Sequence, residues 1–262
     1  MGTDQVRHHL ERQSRDRTTS ETDKCPPEHG ETITRPGQPE LNVIGMWPRS
    51  DDTRRMEQLP GLDQAAFDKV DRAPDAAFYA QPRFVTHIDD AAIAVVTQAY
   101  RELLPANGAV LDVMSSWVSH FPAECEYAAI GHGMNAEELA ANPRLSRWFV
   151  QDLNIDPALP LGDDAFDAAC LCVSVQYLQR PVEVFREVAR VLRPKGRFIV
   201  SFSNRCFPTK AVAIWQELSG PDQQRLVAAY MRAAGFADVA TRTSTPPWGD
   251  PVWLVVGETG GA

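Results

Sequence analysis

The sequence predicts an α/β protein whose mostly parallel sheet carries helices on both faces and ends in an antiparallel hairpin. Three observations predict this fold. Strand and helix patterns alternate from about residue 88 to residue 236. Residues 168–173 form an unbroken run of small and apolar side chains, which is typical of a parallel strand covered on both faces. The last two strands are joined by a loop without a helix, and such strands pair most easily as a hairpin.

The composition limits the possible partners and locations. The chain has 262 residues and a formal net charge of −9, which argues against the basic face that non-specific nucleic-acid binding needs. No apolar run approaches the roughly 20 residues that span a bilayer, and the N-terminus lacks the apolar core of a secretory signal. We therefore expect a cytoplasmic protein without nucleic-acid or membrane partners. No spacing of cysteine and histidine suggests a metal site.

The chain divides into three parts. Residues 1–40 contain no Phe, Trp or Tyr and are rich in charged residues, Thr and Pro, so we predict a disordered tail. Residues 41–86 carry scattered aromatic side chains among charges and prolines, with one plausible helix at residues 62–69. This N-terminal arm is either a lid over a pocket or a packed structural segment. Residues 87–262 form the predicted folded domain.

The first half of the domain alternates between helices and short strands. The predicted elements are a helix at residues 87–104, strands at Ala109–Val113 and residues 126–130, a turn at residues 131–134, a helix capped by Asn135, and a strand at Arg147–Val150.

The stretch from residue 166 to residue 203 predicts a strand, a helix and a second strand. Pro181 suits the first turn of a helix, because that position needs no backbone N–H. Pro194 and Gly196 end the helix, and an apolar strand begins at Arg197. Beyond it we predict helices at residues 209–218 and from Pro221 to Gly235, then strands at Asp238–Ser244 and residues 252–256. In sheets of this kind the ligand binds beyond the carboxyl ends of the strands.

Several motifs in this order resemble one family. They are Asp152-Leu153, Leu159-Pro160-Leu161, Phe166-Asp167, the run from Arg186 to Gly196, and Ala234-Gly235-Phe236. Together they resemble the class I S-adenosylmethionine-dependent methyltransferases, and most closely the group that acts on small molecules. The resemblance implies a seven-stranded, Rossmann-like sheet and an S-adenosyl-L-methionine pocket at the ends of the first strands. It also implies methyl transfer to a small-molecule acceptor.

The resemblance also implies which residues hold the cofactor. Asp152 matches the carboxylate that accepts from the adenine amino group, and Leu153 suits the adenine face. Cys172 and Val173 match residues that line the methionine part. The full set of implied cofactor-binding residues is Asp112, Met114, Ser115, Ser116, His132, Gly133, Met134, Asp152, Leu153, Cys172 and Val173.

Two parts of the family pattern are altered. Met114, Ser116 and Val118 stand where the family has the three glycines of the loop after the first strand. Glycine serves there because the backbone turns sharply and approaches the cofactor closely. Gly133 stands where the family has the ribose-binding carboxylate. His132, Asn135, Glu137 and Glu138 are the candidates to replace it, and Trp117 or Met114 could fill the space left by the missing glycines.

The acceptor end of the site is less clearly marked, because the cofactor carries the difficult chemistry. Candidate acceptor-binding residues follow the strands: His120, Gln176, Tyr177, Asn204 and Arg205. Arg83, Phe84 and His87 could also reach over the pocket if the arm is a lid. No catalytic residue can be assigned from the sequence. The alternative to a methyltransferase is a non-catalytic binding or scaffold protein with an altered pocket.

Overall fold

The computed structural model describes residues 64–261 of the chain. The predicted tail at residues 1–40 and the first part of the predicted arm lie outside the described residues. No helix within 64–261 is long and apolar enough to cross a membrane.

The described residues fold into seven strands and six α-helices. In chain order these are α1 (Asp75–Phe78), α2 (Asp90–Leu103), β1 (Ala109–Val113), β2 (Ala128–Gly133), α3 (Ala136–Ala141), β3 (Arg147–Val150), β4 (Phe166–Cys172), α4 (Pro181–Val191), β5 (Leu192–Phe202), α5 (Ala213–Glu217), α6 (Gly220–Ala233), β6 (Asp238–Ser244) and β7 (Val252–Glu258).

All seven strands join one sheet in the order β3-β2-β1-β4-β5-β7-β6. The first five strands are parallel to one another, while β7 is antiparallel to both β5 and β6. This arrangement confirms the predicted α/β fold and its C-terminal hairpin. The strand order reverses between β1 and β4, so the crevice for a ligand lies above the carboxyl ends of those two strands.

Alternate residues of each strand enter two hydrophobic cores. Leu111 of β1 packs on the face covered by α4 and α6, whereas Val110 packs on the opposite face with α2. Val184 and Val188 of α4 recur at helical spacing, and both are completely buried. Burial of the strands on both faces explains why β4 lacks an alternating polar pattern.

The charged residues of the family motifs have a structural role here. Arg190 of α4 donates to the backbone carbonyls of Leu159 and Leu161, and it is also paired with Glu187. Glu187 in turn accepts a hydrogen bond from the Leu159 N–H. These contacts hold the segment before β4 against α4, which explains why the motif residues occur in a fixed order along the chain.

Several predicted boundaries were wrong. The strand predicted from Arg197 begins at Leu192, so Pro194 and Gly196 lie within β5. The predicted turn at residues 131–134 lies mostly within β2, because Gly131 and Gly133 are paired with β3 along one edge. Pairing with neighbouring strands overrides the turn preference of glycine. The predicted helix at residues 209–218 is shortened to Ala213–Glu217. Its first residues instead contact the arm, through an Asp71 N–H to Thr209 O hydrogen bond of 2.8 Å.

Candidate cofactor and acceptor site

The loop after β1 turns sharply although it contains no glycine. Met114 has φ of 54°, and Val173, which follows β4, has φ of 51°. Residues other than glycine rarely adopt this left-handed backbone conformation, which costs about 1–2 kcal/mol per residue. Such conformations persist where the surrounding structure demands them, and they are common at functional sites. Both residues line the same cavity.

Asp112, at the end of β1, is a buried carboxylate beneath this loop. It accepts hydrogen bonds from the hydroxyls of Ser115 and Ser119. Burial raises the pKa of Asp112 to about 6, although the two serine hydroxyls act in the opposite direction. These two serines therefore hold the loop after β1 against the carboxylate.

His132 of β2 holds the loop to the neighbouring strand. Its Nδ1 accepts a 3.1 Å hydrogen bond from the Met114 N–H, and its Nε2 lies 3.0 Å from the carbonyl oxygen of Gln151. Nε2 therefore carries the proton, because a carbonyl can only accept. Burial lowers the pKa of His132 to about 4, so the ring is neutral near pH 7. Both nitrogens are occupied, which leaves His132 no free nitrogen to bind a ligand.

Gly133 provides the space that the altered loop needs. The Ser115 N–H donates to the His132 carbonyl, and a Cβ added at Gly133 would lie 2.5 Å from the Ser115 carbonyl oxygen. A carboxylate cannot occupy position 133 unless the loop moves. The loop that lacks the family glycines and the glycine at the end of β2 are therefore in direct contact.

Among the candidates to replace the lost carboxylate, Glu138 is the carboxylate that lines the cavity. Glu138 is 9% exposed and lines the cavity, whereas Glu137 is exposed. The Asn135 side chain is fully used, since it caps α3 through Glu137 and Glu138 N–H groups and donates to the carbonyls of Tyr79 and Ala80. Glu138 accepts from the Ser116 hydroxyl and from the Arg83 N–H at 2.7 Å.

The residues after the strand ends enclose one cavity of about 370 Å³. This volume lies within the usual range for small-molecule sites. All the predicted cofactor-binding residues line it: Asp112, Met114, Ser115, Ser116, His132, Gly133, Met134, Asp152, Leu153, Cys172 and Val173. Trp117 does not fill the cavity, because its indole N–H donates to the Val85 carbonyl on the arm.

The predicted acceptor-binding residues separate into two groups. His120, Tyr177 and Arg205 line the cavity. Gln176 is buried elsewhere and donates to the Val173 carbonyl at 2.9 Å, which supports the strained end of β4. Asn204 is exposed and contacts Ser203.

The described part of the arm forms one wall of the cavity. Asp75, Tyr79, Arg83 and His87 all line it. Arg83 donates to the Phe78 carbonyl, and its guanidinium lies 4.5 Å from the centre of the Phe78 ring. No local signal in the sequence marked Asp75 or Tyr79, because only the fold brings the arm to the ends of the strands.

Two buried lysines fasten the arm to the domain. Lys69 pairs with Asp75, and Lys210, which follows β5, lies 3.2 Å from Asp75 and 3.1 Å from Asp71. Lys210 is 0% exposed and also donates to the Ala73 carbonyl at 2.8 Å. The opposite charges and hydrogen bonds balance within this group, as buried charges require.

Comparison with known proteins agrees with this geometry. Residues 117–200 match the family of methyltransferase domains. No curated protein sequence matched the chain.

Solved structures with the same fold include methyltransferases from several organisms. A 1,6-didemethyltoxoflavin-N1-methyltransferase from Burkholderia thailandensis, solved with 1,6-didemethyltoxoflavin and S-adenosylhomocysteine, is 17% identical, with a TM-score of 0.50 over 66% of this chain and 80% of that chain. A possible histamine N-methyltransferase from Thermotoga maritima is 20% identical, with a TM-score of 0.46 over 64% and 88%. Phosphoethanolamine N-methyltransferase 2 from Haemonchus contortus, solved with S-adenosyl-L-methionine, is 11% identical, with a TM-score of 0.46 over 65% and 52%.

The strand order, the crevice above β1 and β4 and the matched domain together define a Rossmann-like methyltransferase fold. The match over residues 117–200 agrees with the predicted resemblance to the class I S-adenosylmethionine-dependent methyltransferases. The methyl donor of this class is S-adenosyl-L-methionine.

Proposed function

We propose that the protein transfers a methyl group to a small-molecule acceptor, and that the residues after β1, β2, β3 and β4 hold the donor. The observation that carries the proposal is the open cavity beside Asp152 and Leu153, which persists despite the altered loop. The lining chemistry suits the cofactor. Leu153 supplies an apolar surface for the adenine, and the carboxylates Asp112, Glu138 and Asp152 suit a ligand that carries a sulfonium.

Each end of the donor has candidate partners in this proposal. Asp152 accepts from the adenine amino group, and Glu138 accepts from the ribose hydroxyls in place of the missing carboxylate at position 133. Met114, Cys172 and Val173 surround the methionine part. When bound, S-adenosyl-L-methionine supplies a methyl carbon that is already activated by a neutral leaving group. The protein must therefore orient the acceptor and exclude water.

The alternative, a non-catalytic binding or scaffold protein with an altered pocket, rests on the lost glycines and the lost ribose carboxylate. Met114 stands at the wall of an open cavity, and Trp117 points to the arm instead. An open cavity supports the methyltransferase proposal, and Glu138 is our candidate for the lost carboxylate. We further propose that the protein works in the cytoplasm without nucleic-acid partners, because its net charge is −9.

Calorimetry with S-adenosylhomocysteine tests the proposal. We expect the unmodified protein to bind it and Glu138→Gln to bind roughly 10- to 100-fold more weakly, because hydrogen bonds to a charged acceptor are lost. Glu137→Gln is the matched control, since Glu137 precedes Glu138 on α3 but is exposed, and its affinity should not change. Absence of binding by the unmodified protein at millimolar ligand would refute the proposed function. Equal affinities for the two variants would remove Glu138 from the site.

A further inference from the structure

Two histidines in the cavity have free ring nitrogens. His87 and His120 both line the cavity, and neither makes a hydrogen bond to another residue within 64–261. His132 in the same cavity differs, because both of its nitrogens are engaged. A polar side chain that faces a cavity without a protein partner is available to bind a ligand.

The wall beside His87 is built from aromatic rings, and His120 lies close enough to His87 to sense its charge. Tyr177 and Phe207 are stacked, with ring centres 6.0 Å apart and planes 28° apart. The Tyr177 hydroxyl accepts a 2.9 Å hydrogen bond from the Phe207 N–H, which fixes the two rings relative to each other. His87 meets Phe207 edge-on at 5.5 Å, and Tyr79 adds a further ring to the lining. Such a rigid wall favours a flat aromatic ligand, through stacked or edge-on contacts.

The charges on this side of the cavity do not favour a cationic acceptor. Asp75 is the carboxylate that the arm contributes to the cavity lining, and Lys69 and Lys210 already neutralise it. Arg205 also lines the cavity but is paired with Asp250, whereas the guanidinium of Arg83 has no carboxylate partner among residues 64–261. An aliphatic amine is protonated near pH 7, and it would meet the Arg83 guanidinium here without a free carboxylate from the arm.

We propose that the arm side of the cavity binds a flat aromatic acceptor that carries an O–H or ring N–H, and that His120 accepts its proton. This inference rests on the proposed function. It assigns the acceptor class and a catalytic base, neither of which the family motifs mark.

His120 suits this role better than His87 does. His120 lies on the loop after β1, a few residues beyond Met114 and Ser116 at the donor side, and is partly buried. His87 lies at the exposed edge of the arm and already contacts the Phe207 ring. Burial lowers the pKa of His120, so its imidazole is neutral near pH 7 and can accept a proton.

The proton step involves only the acceptor and this side chain. The O–H or N–H bond of the acceptor breaks, and its electron pair stays on the acceptor atom, which becomes the nucleophile. The proton goes to the unprotonated ring nitrogen of His120 and then to water at the cavity mouth. General bases of this kind contribute about 10²- to 10⁴-fold to the rate.

Binding of two matched probes tests the inference without turnover. We expect the full-length protein to bind 7-hydroxycoumarin about 3- to 10-fold more tightly than 7-methoxycoumarin, because only the hydroxyl can donate to His120. His120→Ala should abolish this preference. His120→Gln should keep much of it, since a glutamine amide oxygen also accepts a hydrogen bond. Asn204→Ala is the control, since Asn204 is exposed and lies outside the cavity lining, and it should leave the preference unchanged.

A turnover assay with S-adenosyl-L-methionine separates hydrogen bonding from proton transfer. Phenols such as 7-hydroxycoumarin and catechol should be methylated, whereas ethanolamine should not. His120→Gln and His120→Ala should both lose most of the activity, because neither can take the proton. Thermal melting of each variant confirms that it is folded.

Three results would overturn the inference: no binding of either coumarin, an unchanged preference in His120→Ala, or methylation of ethanolamine but of no phenol. Calorimetry with S-adenosylhomocysteine in parallel distinguishes these failures from failure of the proposed function, since donor binding does not depend on the acceptor class.

Discussion

Met114 and Val173 show that residues other than glycine can occupy the tight turns beside the cavity. Both adopt the left-handed backbone conformation, at the ends of β1 and β4. The cost of this conformation at Met114 is offset by contacts such as the Met114 N–H to His132 hydrogen bond. Residue identity alone was a poor guide to this loop, because tertiary contacts hold a residue other than glycine in the left-handed conformation.

Asp112 and His132 have opposite effects on the way the free energy of unfolding depends on pH. The pKa of Asp112 is raised from its usual 3.8 to about 6, so its contribution to stability is lost as pH rises through that window. The pKa of His132 is lowered from 6.5 to about 4, so its contribution is lost as pH falls through nearly the same window. The two effects partly cancel in the unmodified protein.

Asp112→Asn should reveal the pH dependence that His132 gives to the stability, because the opposing effect of Asp112 is removed. We expect the free energy of unfolding of the variant to fall more steeply than that of the unmodified protein between about pH 6 and pH 4. The difference should be on the order of 3 kcal/mol, since each pKa unit corresponds to about 1.4 kcal/mol. Urea unfolding across this pH range measures it, and parallel pH profiles for the two proteins would contradict the raised pKa of Asp112.

At the scale of elements, the loop after β1 and the end of β2 are interlocked. The Ser115 N–H and carbonyl both lie over the end of β2, next to His132 and Gly133. A side chain at position 133 would displace the loop backbone. The sequence shows two separate departures from the family pattern, and the structure places them in direct contact.

Restoring the family carboxylate at position 133 should therefore fail. Gly133→Asp should destabilise the protein by about 1–3 kcal/mol and weaken S-adenosylhomocysteine binding, because its Cβ would press on the Ser115 backbone. Gly162→Ala is the control, since a Cβ there meets nothing within 4 Å and its φ is not positive. Thermal melting and calorimetry measure both effects. Tighter ligand binding by Gly133→Asp would show that the loop moves freely.

At the scale of the whole molecule, the arm completes the site. The cavity walls come from the ends of β1, β2 and β4 on one side and from residues 75–88 on the other. The Lys69 and Lys210 group joins the arm to the chain after β5, and Asn154 adds a 3.0 Å hydrogen bond to Asp75. These contacts agree with either prediction for the arm, a lid or a packed segment.

Lys210→Met should loosen this attachment. We expect a loss of about 3 kcal/mol in the free energy of unfolding, because removing one partner leaves buried charge and carbonyl groups without their donor. S-adenosylhomocysteine binding should weaken as well, since the arm lines the cavity. Arg72→Met is the control: its pair with Asp68 is exposed and contributes about 0–1 kcal/mol. Equal stabilities for the two variants would show that the buried group does not secure the arm.

Much of the site could be predicted because a parallel sheet brings the ends of its strands together. Asp152 and Cys172 could be named from their motifs and their places after β3 and β4, and both line the cavity. Gln176 and Asn204 also follow strands, yet they lie outside the lining. A position after a strand sets the region of a residue, whereas the path of the loop sets where its side chain points.

The sequence by itself determined the α/β architecture and the resemblance to methyltransferases, because hydrophobic periodicity and short motifs act locally along the chain. Only the tertiary structure decided which carboxylate faces the cavity, which histidines are free, and that the arm forms a wall. These features depend on contacts between residues far apart in sequence, such as Glu138 with Arg83 and Lys210 with Asp75. No local pattern encodes such contacts, so they emerge only when the chain packs.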